Sequence, residues 1–369
     1  MGFSCGIVGL PNVGKSTLFN ALTRSSVPAA NYPFCTIDPN VGVVPVPDSR
    51  LAKLTELVPT KKVVPTVVQF VDIAGLVKGA AEGEGLGNQF LGHIAEAEAI
   101  VHVVRCFEDS QVVHVSGSVD PKRDIEIIDT ELAIRDLATV TAAISRLGKA
   151  VKSGDKKAAA ASEALQPVAK ALDQGTPARS VIKTLSPATL EIVKPLNLLT
   201  AKPVLYVANI SEKEAVSGED SPAVKAVRQI AAEEGAQVVP ICGAIEAQIA
   251  ALETEEERSE YMGAVGLKEP GLNRLIRAGH DLLGLQSFFT VGPEENRAWT
   301  IARGAVAQEA AGKIHSDIAR GFIRAEVIGY DDFVACGSEA AAKEQGKLRL
   351  EGKEYIVQDG DIMHFRFSV

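Results

Sequence analysis

Eight consecutive residues near the start, Gly9-Leu10-Pro11-Asn12-Val13-Gly14-Lys15-Ser16, carry the spacing G-x-x-x-x-G-K-[ST]. That spacing builds a phosphate cradle. Its glycines let backbone N–H groups turn inward around an anion, and a helix that opens at the motif adds the positive end of its dipole. Asn12, Val13, Gly14, Lys15, Ser16 and Thr17 form the cradle. Lys15 reaches the β- and γ-phosphates, and the Ser16 hydroxyl ligates Mg²⁺. A second acidic group follows: the apolar run Val67–Val71 ends on Asp72, and then comes Ile73-Ala74-Gly75. An aspartate at the end of a buried strand, after such a loop, suits the magnesium side of a P-loop enzyme. Between the two lies Asn31-Tyr32-Pro33-Phe34-Cys35-Thr36-Ile37-Asp38-Pro39-Asn40, a threonine bracketed by prolines. Thr36 is the candidate that senses the γ-phosphate through Mg²⁺. Gly75, Gly79, Gly83, Gly85 and Gly87 make the following backbone permissive, as expected of a second switch.

These residues need a scaffold that brings strand ends together. Short apolar runs read as strands at Phe3–Gly9, Val41–Val46, Val67–Val71, Ala99–Cys106, Val204–Ala208 and Val238–Ile241, with helical patterns between several of them. That alternation predicts an α/β domain with a parallel sheet. It stops between Asp124 and Pro203, where Ile125, Ile128, Leu132, Ile134 and Leu137 have helical spacing and Lys156–Leu172 is rich in helix formers. Gly154 and Asp155 break the stretch, so a helical hairpin inserted in the α/β domain is expected. Residues 141–200 hold nine Lys or Arg against four Asp or Glu. After Leu285 the pattern changes again. Helical character at Ala305–Ala319 and strand character at Arg324–Ile328, Lys347–Leu350, Glu354–Val357 and Met363–Phe367 predict a small α+β domain, with a tight turn at Asp359-Gly360-Asp361.

The 369 residues carry 47 acidic and 38 basic side chains, a net charge of −9. A surface that coats nucleic acid throughout would be basic, so DNA is not expected as a partner and any RNA contact must be local. The five cysteines are dispersed and form no CxxC pair, which excludes a zinc ribbon or a disulfide scaffold. No apolar run reaches the roughly 18 residues needed to span a bilayer, and Met1–Cys5 lacks the pattern of a secretory signal. A soluble cytoplasmic protein is expected.

Gly9–Thr17, the Asn31–Thr36 loop and Asp72–Ala80 resemble the Obg-related GTPases. Within these, Val71–Gly92, the helical insert and the segments Gly321–Val327 and Val357–Phe365 look like the YchF subfamily. The resemblance covers essentially the whole chain. It implies a Ras-like P-loop NTPase domain over residues 1–123 and 201–284, an inserted helical arm over 124–200 and a C-terminal β-grasp (TGS) domain over 285–369. It also implies a ribosome-associated NTPase that accepts ATP despite GTPase ancestry. Two departures from ordinary GTPases stand out. Leu76 occupies the place where many GTPases have a glutamine that orients the attacking water. The guanine-reading N-K-x-D is replaced by Asn209-Ile210-Ser211-Glu212.

Other residues have two readings. His114, in Val112-Val113-His114-Val115, either lends a proton or orients water as a catalytic group, or simply ends a strand; His93 and His102 are weaker candidates. Cys35, in the loop that carries Thr36, has a redox reading. Cys5, Cys106 and Cys242 fill strand positions. Asn12 resembles the asparagine by which some related NTPases ligate a monovalent cation, so K⁺ is a second candidate ion beside Mg²⁺. The basic hairpin is either a solvated face or an RNA-binding arm. The leading reading is a slow Mg²⁺-dependent ATPase, with GTP open as a second substrate, that acts as a switch on the ribosome through the arm and the TGS domain. Two alternatives are a nucleotide-sensing adaptor in stress regulation whose hydrolysis is incidental, and a GTP-specific ribosome assembly factor.

Overall fold

The computed structural model describes residues 3–24, 26, 40–73, 86–109, 112, 114–115 and 117–368, with only the backbone for 86–89. Thr36, Cys35 and Leu76 lie outside the described residues, as does most of the glycine-rich run. The chain divides into two compact units, one formed by Met1–Gly42 with Gln69–Ala278 and the other by Val43–Val68 with Gly279–Val369.

The strands are β1 (Ser4–Val8), β2 (Val41–Pro45), β3 (Val63–Val64), β4 (Val67–Asp72), β5 (Ala99–Arg105), β6 (Val204–Asn209), β7 (Gln237–Ile241), β8 (Leu285–Thr290), β9 (Asn296–Ala302), β10 (Phe322–Ile328), β11 (Arg349–Glu351) and β12 (Ile362–Phe367). The first sheet runs β2-β4-β1-β5-β6-β7. β1 is parallel to β4 and β5, β5 to β6, and β6 to β7. Every residue of β5 and β6 is buried, which is why these strands read as largely apolar runs rather than alternating ones. Parallel pairing puts the carboxyl ends of β1, β4, β5, β6 and β7 on one edge. Ligands of open α/β sheets bind at that edge.

Two long helices, Pro121–Lys152 and Lys156–Asp173, make the expected hairpin. Gly154, at φ 86°, turns the chain between them. Asp155 starts the second helix by accepting from the N–H groups of Lys157 at 2.8 Å and Ala158 at 3.2 Å. Ala133, Val140, Leu165, Val168 and Leu172 form the seam of the hairpin. Its base is tied to the sheet by a buried cluster. The Arg179 guanidinium donates to Asp129 at 3.0 Å and Glu234 at 2.9 Å, and the Tyr206 hydroxyl, from β6, donates to Glu234 at 2.9 Å.

The second unit holds a mixed sheet in the order β11-β10-β12-β8-β9-β3, with β12 parallel to β8. Neighbouring residues of a strand face opposite sides. Phe288 accordingly joins a core with Ala307, Val327 and Met363, while Phe289 joins another with Leu51, Leu54 and Phe333. Leu51 and Leu54 come from the helix Ser49–Leu57, so a segment between β2 and β3 completes this unit. Two sequence expectations are revised here. The helical stretch 305–319 is two helices, Ala307–Ile314 and Ser316–Arg320, because His315 is extended at φ −162°. The expected strand 354–357 contributes only a single bridge, Val306 with Ile356. The chain turns there instead: the Tyr355 N–H donates to Gly352, and Asp361 accepts from the Tyr355 hydroxyl at 2.7 Å and the Gln358 N–H at 2.9 Å. The turn at Asp359–Asp361 is present, with Gly360 at φ 93°.

Candidate functional site

At the carboxyl edge of the first sheet, β1 ends at Val8, and the loop from Gly9 runs into the helix Lys15–Arg24. Leu18, Phe19 and Leu22 bury the inner face of this helix and anchor it. The loop has a left-handed backbone at Asn12 (φ 64°) and Gly14 (φ 93°). Gly14 is required twice over, because a Cβ there would also stand 2.1 Å from the amide nitrogen of Asn209. The Leu18 N–H closes the first helical bond to the Gly14 carbonyl at 3.0 Å, so the N–H groups before it have no partner within the helix and point outward. Asn12, Ser16 and Thr17 are exposed, and Val13 is buried beneath the loop.

Asp72 ends β4 directly beside this helix. Its Oδ1 accepts from the Lys15 ammonium, and both side chains are largely buried, at 10% exposure for Lys15 and 21% for Asp72. A hydroxyl and a carboxylate at the mouth of an anion cradle are hard oxygen donors, a set suited to Mg²⁺. Ser16 is exposed and Asp72 partly so, and the two residues fit that ion.

The segment expected to meet the base begins at Asn209, the last residue of β6. Register places Arg105, Asn209 and Ile241 side by side at the ends of β5, β6 and β7. Asn209 is buried; its Nδ2 donates to the Val13 carbonyl at 2.8 Å and its Oδ1 accepts from the Gly243 N–H at 3.0 Å. The phosphate loop and the turn after β7 are therefore held by one side chain. Ile210 is 8% exposed and lines a cavity of about 440 Å³ with Val224, Ile241 and Ile245. Glu212 opens the helix Glu212–Ser217 and is exposed. The capping there is done by Ser211 and Glu214, which leaves the Glu212 carboxylate out of the helix's own bonding. Burial raises the pKa of the Cys242 thiol and of the Tyr261 phenol, and the nearby Glu212 carboxylate adds to both. Glu212 is thus close enough to Cys242 and Tyr261 for its charge to act on both.

His114 lies in a turn, with its carbonyl accepting from the Gly117 N–H at 3.0 Å. It does not end a strand, since β5 stops at Arg105. Its Nε2 is 2.8 Å from Asp124 Oδ2, and both residues are buried. Burial lifts Cys5 and Cys106 to a pKa of about 12, so neither is a nucleophile at neutral pH. His102 is buried in β5 and held down to about 3 by desolvation, with Arg179 adding to the effect, so it stays neutral.

Comparison with known proteins now adds to this geometry. Residues 4–143 match the family model of the 50S ribosome-binding GTPase, and residues 285–368 match the C-terminal YchF GTPase model, described as a protein of unknown function. The chain is 58% identical over 369 residues to the ribosome-binding ATPase YchF of Haemophilus ducreyi, covering 100% of both chains. It is 56% identical to that of Escherichia coli O157:H7 and 54% to that of Bacillus subtilis, again over 100% of each. The chain belongs to the YchF family. A solved member, the YchF GTPase of Schizosaccharomyces pombe, superposes with a TM-score of 0.88 at 38% identity, covering 99% of this chain and 98% of that one. The fold is accordingly that of YchF: a P-loop NTPase domain with a helical insertion and a C-terminal YchF domain.

Within this YchF fold the structure brings together Lys15 with Asp72, Asn209 with Val13, and Glu212 with the turn after β7. Sequence reasoning missed Arg105 and Asp124, which hold the His114 loop. Arg105 had a visible signal, a charge closing an otherwise apolar strand. Asp124 had none, because only the fold brings it to His114.

Proposed function

We propose that this chain binds Mg·ATP at the Gly9–Thr17 loop and hydrolyses it slowly as a cytoplasmic, ribosome-associated switch. The observation that carries the reading is the outward-facing helix start at Lys15, with Asp72 beside it at the ligand edge of the sheet. The backbone N–H groups and Lys15 bind the phosphates, with Lys15 exchanging its Asp72 partner for β- and γ-phosphate oxygens. Ser16 and Asp72, with Thr36 from the preceding loop, would hold Mg²⁺, which supplies charge neutralisation across those oxygens. Asn12, exposed at φ 64°, is the residue proposed to approach K⁺. Leu76 offers no polar group to the attacking water, and His114 is proposed to orient it. P-loop enzymes without an activating group turn over on the order of 10⁻⁴ to 10⁻² per second, and a basal rate in that range is expected.

Adenine is the proposed base. Ile210 is buried and carries no ammonium stem to lay over a purine. Glu212 is one methylene longer than the aspartate that pairs with guanine. Asn209 keeps one N–H and one lone pair beyond its two protein bonds, enough for either purine. The relatives' printed name, ribosome-binding ATPase, supports both halves of the reading. The arm supports the ribosomal half: Lys149, Lys152, Lys156 and Lys157 are all exposed around the turn of the hairpin. The TGS domain is the second proposed contact. Among the described residues no helix is long and apolar enough to cross a membrane. The test is ATP hydrolysis by the pure protein with and without ribosomes. ATP turnover that Lys15→Ala abolishes supports the proposal, and turnover that survives Lys15→Ala overturns it.

A further inference from the structure

A larger cavity, of about 1300 Å³, lies in the first unit along one face of β4. Gln69 and Val71 line it, and two residues apart in a strand they share that face. Ser4, paired in register with Gln69, continues the face onto β1. The remaining walls include Ile182, Leu190, Val193 and Leu198, from the segment that returns from the arm to β6. This segment is tied down by two side chains. The Lys202 ammonium donates to the carbonyls of Ala97 at 2.6 Å and Ala95 at 3.1 Å and to Asn197 Oδ1 at 3.3 Å. Asn197 Nδ2 donates to the Ala95 carbonyl at 3.1 Å. Both therefore bind the end of the helix Leu86–Glu96, and the cavity has fixed walls on the sheet side and on the arm side. Among the described residues, none of those lining it belongs to Gly9–Thr17, Asp72 or Asn209.

Gln69 is the one uncharged polar residue of β4, and it is 8% exposed. Its backbone N–H donates to the Phe3 carbonyl at 3.1 Å. Its side-chain Nε2 has no hydrogen-bond partner among the described residues. Buried amides are nearly always paired, because an unpaired one has given up water for nothing. Rotation about the last side-chain bond turns the NH₂ group toward the cavity, where it can donate to a ligand. The rest of the lining says what that ligand is. Its apolar walls call for a mostly apolar molecule. Lys202 has spent its three donors, so no buried cation is left for a carboxylate. Glu96 and Glu98 also line the cavity but are exposed, where water weakens their hold on a cation. A peptide would bring several backbone groups that each need a partner. A molecule with one carbonyl needs only Gln69.

We propose that this cavity binds a small, neutral, largely apolar molecule through one carbonyl group that accepts a hydrogen bond from the Gln69 amide. The apolar body of the ligand lies between Val71 and the arm-side residues Ile182, Leu190 and Leu198. The volume exceeds the roughly 300–1,000 Å³ of common small-molecule pockets, so such a ligand enters without forcing the walls apart. The site is a second one, beside the nucleotide site and independent of which nucleotide that site holds.

The probe is prodan, a neutral naphthalene ketone whose emission moves to the blue in apolar surroundings. 2-Dimethylaminonaphthalene, which lacks the ketone, is its control. Both are titrated into the full-length wild type, Leu190→Trp, Ile182→Trp and Gln69→Leu, with the melting temperature as the check on folding. Prodan should bind the wild type saturably with blue-shifted emission and a Kd of about 100 μM or tighter, the scale for a ligand of its size. Either tryptophan fills the cavity and should weaken both compounds by about tenfold or more. Gln69→Leu keeps the bulk and removes the donor. It should weaken prodan by about threefold to tenfold, the worth of one neutral hydrogen bond, and leave the ketone-free control unchanged. Absence of saturable prodan binding to the wild type would overturn the proposal. So would binding that neither tryptophan alters, since the probe would then sit elsewhere. Equal losses of the two compounds in Gln69→Leu, or none, would remove the carbonyl contact and the proposal with it. If one tryptophan variant fails to fold the other decides, and Gln69→Met replaces Gln69→Leu in the same case.

Discussion

The Asn209 side chain donates to the backbone carbonyl of Val13 at 2.8 Å while accepting from the Gly243 N–H at 3.0 Å. The phosphate loop and the turn after β7 are thus held by one buried amide. Asn209→Ala should weaken ATP and GTP together, because it leaves the Val13 carbonyl and the Gly243 N–H without their partner. Each orphaned buried group costs about 1–3 kcal/mol, so a loss of tenfold or more in affinity is expected for both nucleotides. Calorimetry on the variant checks this, and a loss confined to one nucleotide would mean that Asn209 reads the base instead of holding the loop.

Lys15→Ala should abolish nucleotide binding and leave the fold intact. The lysine packs at the mouth of the loop, and its partner is Asp72 rather than the hydrophobic core. Equal ATP affinity in a variant with an unchanged melting temperature would reject the phosphate-site assignment.

Replacing Lys149, Lys152, Lys156 and Lys157 by glutamate should weaken association with ribosomes and flatten its salt dependence, since fewer counterions are released. These side chains are exposed at the turn of the hairpin, so basal hydrolysis should hardly change. Unaltered cosedimentation with ribosomes would make the arm a solvated face.

Acid should destabilise the first unit through His102. Burial holds its folded pKa near 3, below the value of about 6.5 in an unfolded chain. The unfolded chain therefore binds the extra proton first. The contribution to stability is complete above about pH 6.5 and is lost progressively as pH falls toward 3. Denaturant titrations across that window should show stability falling with pH, and His102→Gln should flatten the slope. An equal slope in the variant would show that other groups drive acid unfolding.

Much of this architecture was legible in the sequence, and the failures have local causes. β5 and β6 were readable because strands buried on both faces are largely apolar. The hairpin was readable from Gly154, Asp155 and the helix formers around them. The strand expected at 354–357 failed because the Gly352 carbonyl and the Asp361 carboxylate draw that segment into turns, local bonds that strand propensity does not carry. The helix Ser49–Leu57 showed no sign that it would build the second unit. At the site, the glycine, lysine and aspartate positions were fixed by motif spacing. The pairing of His114 with Asp124 was not, because ten positions separate them in sequence and only the placement of the helix Pro121–Lys152 brings Asp124 to the ring.

Parallel calorimetric titration with Mg·ATP and Mg·GTP decides which nucleotide this P-loop prefers. Losing the bidentate aspartate at the position of Glu212 should remove roughly 2–3 kcal/mol of guanine preference, on the order of a hundredfold. Adenine has no 2-amino group and forfeits nothing. ATP should bind at least as tightly as GTP, and Glu212→Asp combined with Ile210→Lys should move preference back toward GTP. GTP binding more than about tenfold tighter than ATP would contradict it.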